Sequence, residues 1–278
     1  MRSFIEDKQQ NLCKMLRSMF PALTESMLCR ALRQKDVRVD GVRVNSDRLL
    51  VPGNEVAVYI DDRYLFPSIP CLYQDAHLMV VNKPAGIPVT GERSVESLLR
   101  ASFGEVFPVH RLDVPTSGLL VLAKTAAAKE ALEAAFRERR IEKTYSCVTV
   151  GKPPKAKGHL ETYLLKDSKN AFVRVVDAPG RGAVLAVTDY ELMRANGPTS
   201  RVQVRIHTGR THQIRVHMAY LGCPILGDDK YGDREANRRL GAKRLYLCAS
   251  RLRFLHMPPP LDALTGRTFC ADDSLNRQ

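Results

Sequence analysis

A chain of mixed helices and strands, divided into a small N-terminal unit and a much larger one, is what this sequence predicts, and three observations carry that prediction. Stretches with apolar residues at helical spacing are interleaved with stretches in which apolar residues alternate every second position. Gly, Pro and Asp cluster between them as turns. Pro67 and Pro70 break the pattern over residues 63–70, which read as a linker between a unit of residues 1–62 and a unit of residues 71–278. With 278 residues, 44% of them hydrophobic, the chain can fill a large core and a small second one.

Charge and cysteine usage narrow the function classes. A formal net charge of +13 favours polyanionic partners such as nucleic acid. No run of 18 apolar residues and no secretory signal pattern is found, so a cytoplasmic protein without a membrane partner is expected. The seven cysteines are scattered and include no Cys-x-x-Cys pair, which predicts reduced thiols and neither a disulfide frame nor a zinc site; no metal and no cofactor are expected.

In the small unit Leu12, Met15, Leu16 and Met19 recur at helical spacing up to Pro21, and Thr24 is placed to cap a second helix carrying Met27, Leu28, Ala31 and Leu32. Two helices therefore come first. Val37, Val39, Val42 and Val44 alternate across Asp40-Gly41, a hairpin signal, and Val56, Val58 and Ile60 make a third strand. Arg30, Arg33 and Gln34 share one face of the second helix, with Lys35 following; such a basic face is ordinarily only solvated surface. Residues 1–62 hold 10 Lys and Arg against 9 Asp and Glu, while the rest holds 33 against 21, so the pull on a polyanion lies in the larger unit.

That unit opens with strand and turn signals from Leu72 to Val89, including Lys83-Pro84-Ala85-Gly86. A short helix is expected over Ser94 to Ser102. Next comes the densest polar stretch, Val109-His110-Arg111-Leu112-Asp113, then a turn of Pro115, Thr116, Ser117 and Gly118 and a buried strand from Leu119 to Ala123. An Asp there is commonly just a turn cap, but a loop held by a buried strand is also a rigid mount for a reacting group. Thr125 opens a helix through Ala131, Leu132 and Phe136 that ends in Arg137, Arg139 and Arg140, cations that also suit a helix C-terminus.

Lys143 to Gly151 reads as a strand with Lys143 and Tyr145 on one face, where a Tyr is most often core. An exposed loop from Lys152 to Lys169 with a strand around Leu160 to Leu164 follows, then strands at Ala183–Leu192 and Val202–Ile206. His207 to His217 is the second dense polar stretch. Thr211 is placed as N-cap of a helix from about His212 to Leu221, an entry able to hold an anion. His207, His212 and His217 do not have metal-ligand spacing. A last strand spans Leu245 to Phe254, and the tail after Asp272 is expected to fray.

Two resemblances follow from these residues. Helix, helix, then Val37-Arg38-Val39-Asp40-Gly41-Val42-Arg43-Val44 resembles the small RNA-binding domain named after ribosomal small-subunit protein four, although Asp40 and Cys29 depart from its pattern. It would make Arg30, Arg33 and Lys35 RNA contacts. Across residues 70–257, Val109 to Asp113 with Thr116-Ser117-Gly118, then Lys143-x-Tyr145, then Thr208 to His217 resemble the RluA-type family of RNA pseudouridine synthases.

That resemblance implies an α+β fold: a largely antiparallel, curved sheet with flanking helices and a central cleft. It implies an isomerase that converts a uridine of structured RNA, ribosomal or transfer RNA, into pseudouridine, as a monomer. Asp113 would be the catalytic carboxylate, Tyr145 the active-site tyrosine, and Arg215 the arginine paired with Asp113. Arg111 would enter the RNA stack beside the flipped base, with His110, Arg210, His212 and Ile214 as further RNA contacts. The chemistry suits these types: moving the ribose bond from nitrogen to carbon 5 needs a carboxylate at the sugar, as nucleophile on carbon 1 or base at carbon 2. Pro115 and Cys248 depart from the family's commoner Asp and His. The competing expectation is a non-catalytic RNA-binding or ribosome-assembly factor of the same fold, which would tolerate loss of Asp113, Tyr145 and Arg215.

Overall fold

The computed structural model describes residues 1–20, 23–60, 65, 68–167, 172–176, 178–180 and 182–271. Packing divides the chain into Met1–Ser68 and Ile69–Gln278. Half of the expected linker 63–70, Pro21 and the tail after Asp272 lie outside the described residues.

The small unit contains β1 (Arg2–Ile5), β2 (Gln10–Asn11), α1 (Leu12–Met19), α2 (Glu25–Arg33), β3 (Val37–Val39), β4 (Val42–Arg43), β5 (Leu49–Leu50) and β6 (Glu55–Val58). Thr24 caps α2, its hydroxyl accepting the Met27 N–H at 3.3 Å. The β3–β4 turn uses positive φ at Asp40 and Gly41, and the Asp40 carboxylate accepts from the Glu55 N–H and the Asn54 amide, both at 2.8 Å. The helices do not come first, as expected: β1 precedes them and pairs with β6, giving the order β1-β6-β3-β4. Its four residues, mostly exposed on an edge, lack the alternation by which β3 and β6 are recognised.

In the large unit eleven described strands form one sheet. They are β7 (Cys71–Gln74), β8 (Leu78–Lys83), β9 (Phe107–Pro108), β10 (Ser117–Ala123), β11 (Ile141–Val150), β12 (Lys157–Asp167), β13 (Phe172–Val176), β14 (Ala183–Asn196), β15 (Thr199–Ile206), β16 (Leu247–Phe254) and β17 (Thr268–Cys270). The main order is β13-β12-β14-β15-β11-β16-β10-β8-β7, with β17 on β16 and β9 on β10. Among these pairings β10–β16 alone is parallel. It depends on Gly118, whose φ is +113° and where a Cβ would run into the Ala249 backbone.

The continuous apolar run of β10 reflects burial on both faces. Leu120 and Leu122 enter a core shared with Val95 and Leu99 of α3 (Val95–Phe103) and with Ile214 and Met218 of α5 (Gln213–Tyr220). Leu119 and Val121 enter the opposite core, with Ala128, Leu132 and Ala135 of α4 (Ala126–Arg137). The result is an α+β fold whose sheet carries helices on both faces.

Other boundaries moved. Ser117 and Gly118 belong to the strand and not the turn, β12 runs longer than expected, and β16 begins at Leu247. β13 was not anticipated, nor was α6 (Arg234–Arg239), a single polar turn with Asp233 as its cap. Thr211 is not the cap of α5 either: that place is His212, in the left-handed region at φ 55° with no side-chain cap bond.

Candidate active site

A cavity of about 250 Å³ opens between the loop that leads into β10, the face of β11 and the start of α5. Asp113, Tyr145 and Arg215 all line it, together with Lys143, His212 and Phe136.

Asp113 is half-buried at the head of a short turn in which its carbonyl accepts the Thr116 N–H at 3.0 Å. Among the described residues its carboxylate has no hydrogen-bond or ion-pair partner. What fixes the turn is Lys83 at the end of β8. Its fully buried ammonium donates to the carbonyls of Pro84 (2.9 Å), Ile87 (2.7 Å) and Val114 (3.1 Å), and Val114 O also accepts the Gly86 N–H at 2.8 Å. Burial pushes Lys83 down to about 8, against the attraction of the Asp113 charge.

Tyr145 sits on β11 opposite Ala249, beside a bulge in which β16 carries the extra residue Ser250 between the partners of Thr144 and Tyr145. It is 7% exposed, and among the described residues its hydroxyl has no hydrogen-bond partner. Burial, and then the neighbouring Asp113 charge, push the phenol well above its usual value, so it stays protonated. Lys143, two residues earlier on the same face, lies 5.8 Å from the Phe136 ring, and burial followed by Arg139 lowers its pKa.

Arg215 is placed differently from the expectation. Its guanidinium does not pair directly with Asp113. Nε and Nη2 bind the buried Asp228 carboxylate at 2.7 and 2.6 Å, and Nη2 reaches Asp229 at 3.1 Å. Asp228 is held in turn by the N–H groups of Lys230 and Tyr231. Burial works against the Arg215 charge, and the Asp228 bonds with the fields of Asp228, Asp113 and Asp229 outweigh it. The fork is spent on Asp228, so Arg215 acts on Asp113 through space.

The start of α5 is built by a buried polar relay. Gln213 Oε1 accepts the Thr208 hydroxyl (2.8 Å) and the Arg210 N–H (3.0 Å), while its amide donates to Thr188 Oγ1 (2.8 Å) and Val187 O (3.0 Å). Thr188 Oγ1 also meets His217 Nδ1 at 2.9 Å, and His217 Nε2 meets Thr162 Oγ1 at 2.9 Å. His217 is fully buried, and burial pushes it down to about 4, which keeps it neutral.

The remaining predicted residues separate into three groups. Arg111 is exposed at the cavity rim, and Arg210 is exposed with its Nε on Leu185 O. His212 lines the cavity with Nδ1 2.7 Å from the Tyr231 hydroxyl, whose ring lies 5.2 Å from the Arg215 guanidinium. His110 and Ile214 line the cavity with less exposed surface than Arg111 and Arg210. His110 Nε2 accepts the Val121 N–H at 3.0 Å, its ring packs 4.5 Å from Phe136, and burial pushes it down to about 3. Ile214 is 5% exposed and presents only its apolar edge. Arg30, Arg33 and Lys35 are exposed on and just after α2 in the small unit, away from any residue of this cavity in sequence.

Lys83, Asp228, Tyr231 and Gln213 carry the site's geometry and were not singled out by sequence. A signal was present for two of them: Gly227 and Gly232 bracket Asp228 and Tyr231, and a Cβ at either glycine would collide with backbone.

Comparison with known proteins agrees with this arrangement. Residues 77–220 match the family model described as RNA pseudouridylate synthase. The chain is 36% identical over 251 residues to a ribosomal large subunit pseudouridine synthase C of Rickettsia bellii, covering 80% of this chain and 82% of that one. It is 33% identical to the protein of the same name from Vibrio cholerae, covering 89% and 85%. Human RNA pseudouridylate synthase domain containing 1 superposes with a TM-score of 0.64 at 28% identity, covering 74% of this chain and 84% of the human one. A chain that carries this fold, this cavity and this breadth of likeness belongs to the RNA pseudouridylate synthase family.

Proposed function

We propose that this protein isomerises a uridine of large-subunit ribosomal RNA, with Asp113 as the acting carboxylate. The observation that carries the reading is the cavity itself. A carboxylate and a protonated Tyr145 hydroxyl, both without hydrogen-bond partners among the described residues, share about 250 Å³ beside a fixed Arg215 cation. The named relatives supply the class of RNA.

Flipping a uridine out of its stack costs a few kcal/mol and delivers the base to the face of Tyr145. Asp113 then meets the ribose, as nucleophile on carbon 1 or as base at carbon 2. The bond from carbon 1 to nitrogen breaks, the ring turns, and a bond from carbon 1 to carbon 5 forms. Carbon 5 gives up its proton to the Tyr145 oxygen as that hydroxyl passes its own proton on to water, and the ring nitrogen freed from carbon 1 takes up a proton from water. Arg215 holds positive potential over the site without neutralising Asp113 by direct contact. Arg111 at the rim enters the RNA stack beside the flipped base, Arg210 meets phosphate, and His212 meets the substrate edge. His110 and Ile214 contribute by shaping the wall.

In the small unit, the exposed Arg30, Arg33 and Lys35 are proposed as a second RNA contact of the kind the ribosomal small-subunit protein four-like domain makes. Mapping pseudouridines in ribosomal RNA from cells with and without the gene tests the function. One or more large-subunit positions should revert to uridine, and an unchanged large-subunit map would refute it.

A further inference from the structure

Beside the cavity that holds Asp113 lies a second one, of about 620 Å³, within the size range of small-molecule sites. The two share the wall formed by His110, Arg111, Leu112 and Asp113, with His212 at the other side. Beyond that wall the lining changes character. It consists of Pro88, Val89, Pro108, Val114 and Pro115, with the exposed Thr90 as the hydroxyl among them. Asp113 is the one acidic residue lining it. Val114 leaves 46% of its surface exposed there, an apolar side chain that the fold has not covered.

These walls are rigid. The Lys83 ammonium ties Ile87 O to Val114 O, and the Gly86 N–H ties the same two loops together. The N–H groups of Val95 and Glu96 bind Pro88 O and Val89 O at 2.9 and 3.1 Å, fastening one wall to the start of α3. Three prolines remove backbone freedom as well. A cavity held open in this way is pre-organised, and binding in it forfeits little ordering entropy.

We propose that this second cavity is a base-binding subsite, which takes the nucleobase of a nucleotide adjoining the reacting uridine and so contributes to the choice of target. The proposal rests on the reading of the first cavity as the uridine site. An RNA strand whose uridine occupies the first cavity reaches the second by passing over the shared wall, alongside the exposed Arg111. The neighbouring base then arrives at flat apolar surfaces suited to a π-face, with Thr90 to read an edge. The cation that lines the cavity, Arg111, stands on the shared wall, and among the described residues the proline and valine walls beyond it carry none, so the far side of the cavity suits a base.

The test uses the full-length protein and a fragment of large-subunit ribosomal RNA containing the modified uridine. Single abasic sites are placed at each neighbour of the uridine and, as a control, three nucleotides away. Single-turnover rate and affinity are measured for wild type and for Thr90→Trp, which fills the cavity from an exposed position. Wild type should lose several-fold in rate or affinity at one neighbour and little at the control position. Thr90→Trp on intact RNA should resemble wild type on the abasic RNA, and the two changes together should cost no more than either alone. A 4-thiouridine at the sensitive position should crosslink to residues 88–90 or 114–115. Indifference of wild type to both neighbours, full additivity of the two changes, or crosslinks elsewhere would overturn the subsite. Failure of wild type to form pseudouridine on any of the RNAs would overturn the reading beneath it, and the subsite with it.

Discussion

Asp113 and Tyr145 show how differently single residues declare themselves. Asp113 was legible because polar residues of three kinds stand immediately before a turn and a buried strand, and in the cavity its carboxylate has no partner among the described residues. Tyr145 was legible only through its company, since a strand tyrosine is ordinarily core and this one is indeed 7% exposed. Its hydroxyl, without a partner among the described residues, makes a sharp expectation at this scale. Tyr145→Phe should keep RNA affinity and lose most turnover, while Tyr145→Ala should lose both, because stacking is worth about 1–3 kcal/mol per base. Equal activity of Phe and Tyr in single-turnover assays would leave Tyr145 as a stacking surface without a proton-transfer role. Arg215 was found but its partner was not. Asp228 follows it by 13 positions across a loop, and no periodicity connects a helix residue to a turn residue at that separation.

Elements were readable where one physical signal dominated. β10, buried on both faces, appeared as an unbroken apolar run, and α4 as a capped helix with a basic end. β1 and β13 were not readable, because short edge strands carry little alternation and owe their place to a partner strand. α5 was half-readable. Its span was apparent, but its entry depends on the Gln213 relay and on left-handed His212, both of which are tertiary.

That relay has a pH signature. His217 titrates near 4 in the fold against an ordinary 6.5, so the unfolded chain binds more protons between these values. The contribution of neutral His217 is therefore complete above pH 6.5 and is lost as pH falls through 4. Its size is at most on the order of 3 kcal/mol. His217→Gln, which can hydrogen-bond without titrating, should flatten the fall of stability between pH 6.5 and 4 in urea unfolding. An unchanged slope would mean that His217 is not buried neutral.

At the scale of the whole molecule, charge separates the roles of the two units. Residues 1–62 are almost neutral, so they supply few of the phosphate contacts that set general affinity. Deleting them should leave a folded, active remainder that loses rate selectively on natural ribosomal RNA and not on a short stem-loop, with a nearly unchanged salt dependence. Such a pattern is expected of a tethered second contact acting through effective concentration. An equal loss on both RNAs, or a collapsed salt slope, would make the small unit a general anchor or a folding partner. The account as a whole stands on one carboxylate performing one isomerisation. The most direct measurement is tritium release from large-subunit ribosomal RNA that carries 5-tritiated uridine and lacks the modification, with wild type and Asp113→Asn compared at equal RNA occupancy. Wild type should release one tritium per site modified, and Asp113→Asn should bind within a few fold and release none; release by Asp113→Asn near the wild-type rate would contradict the account.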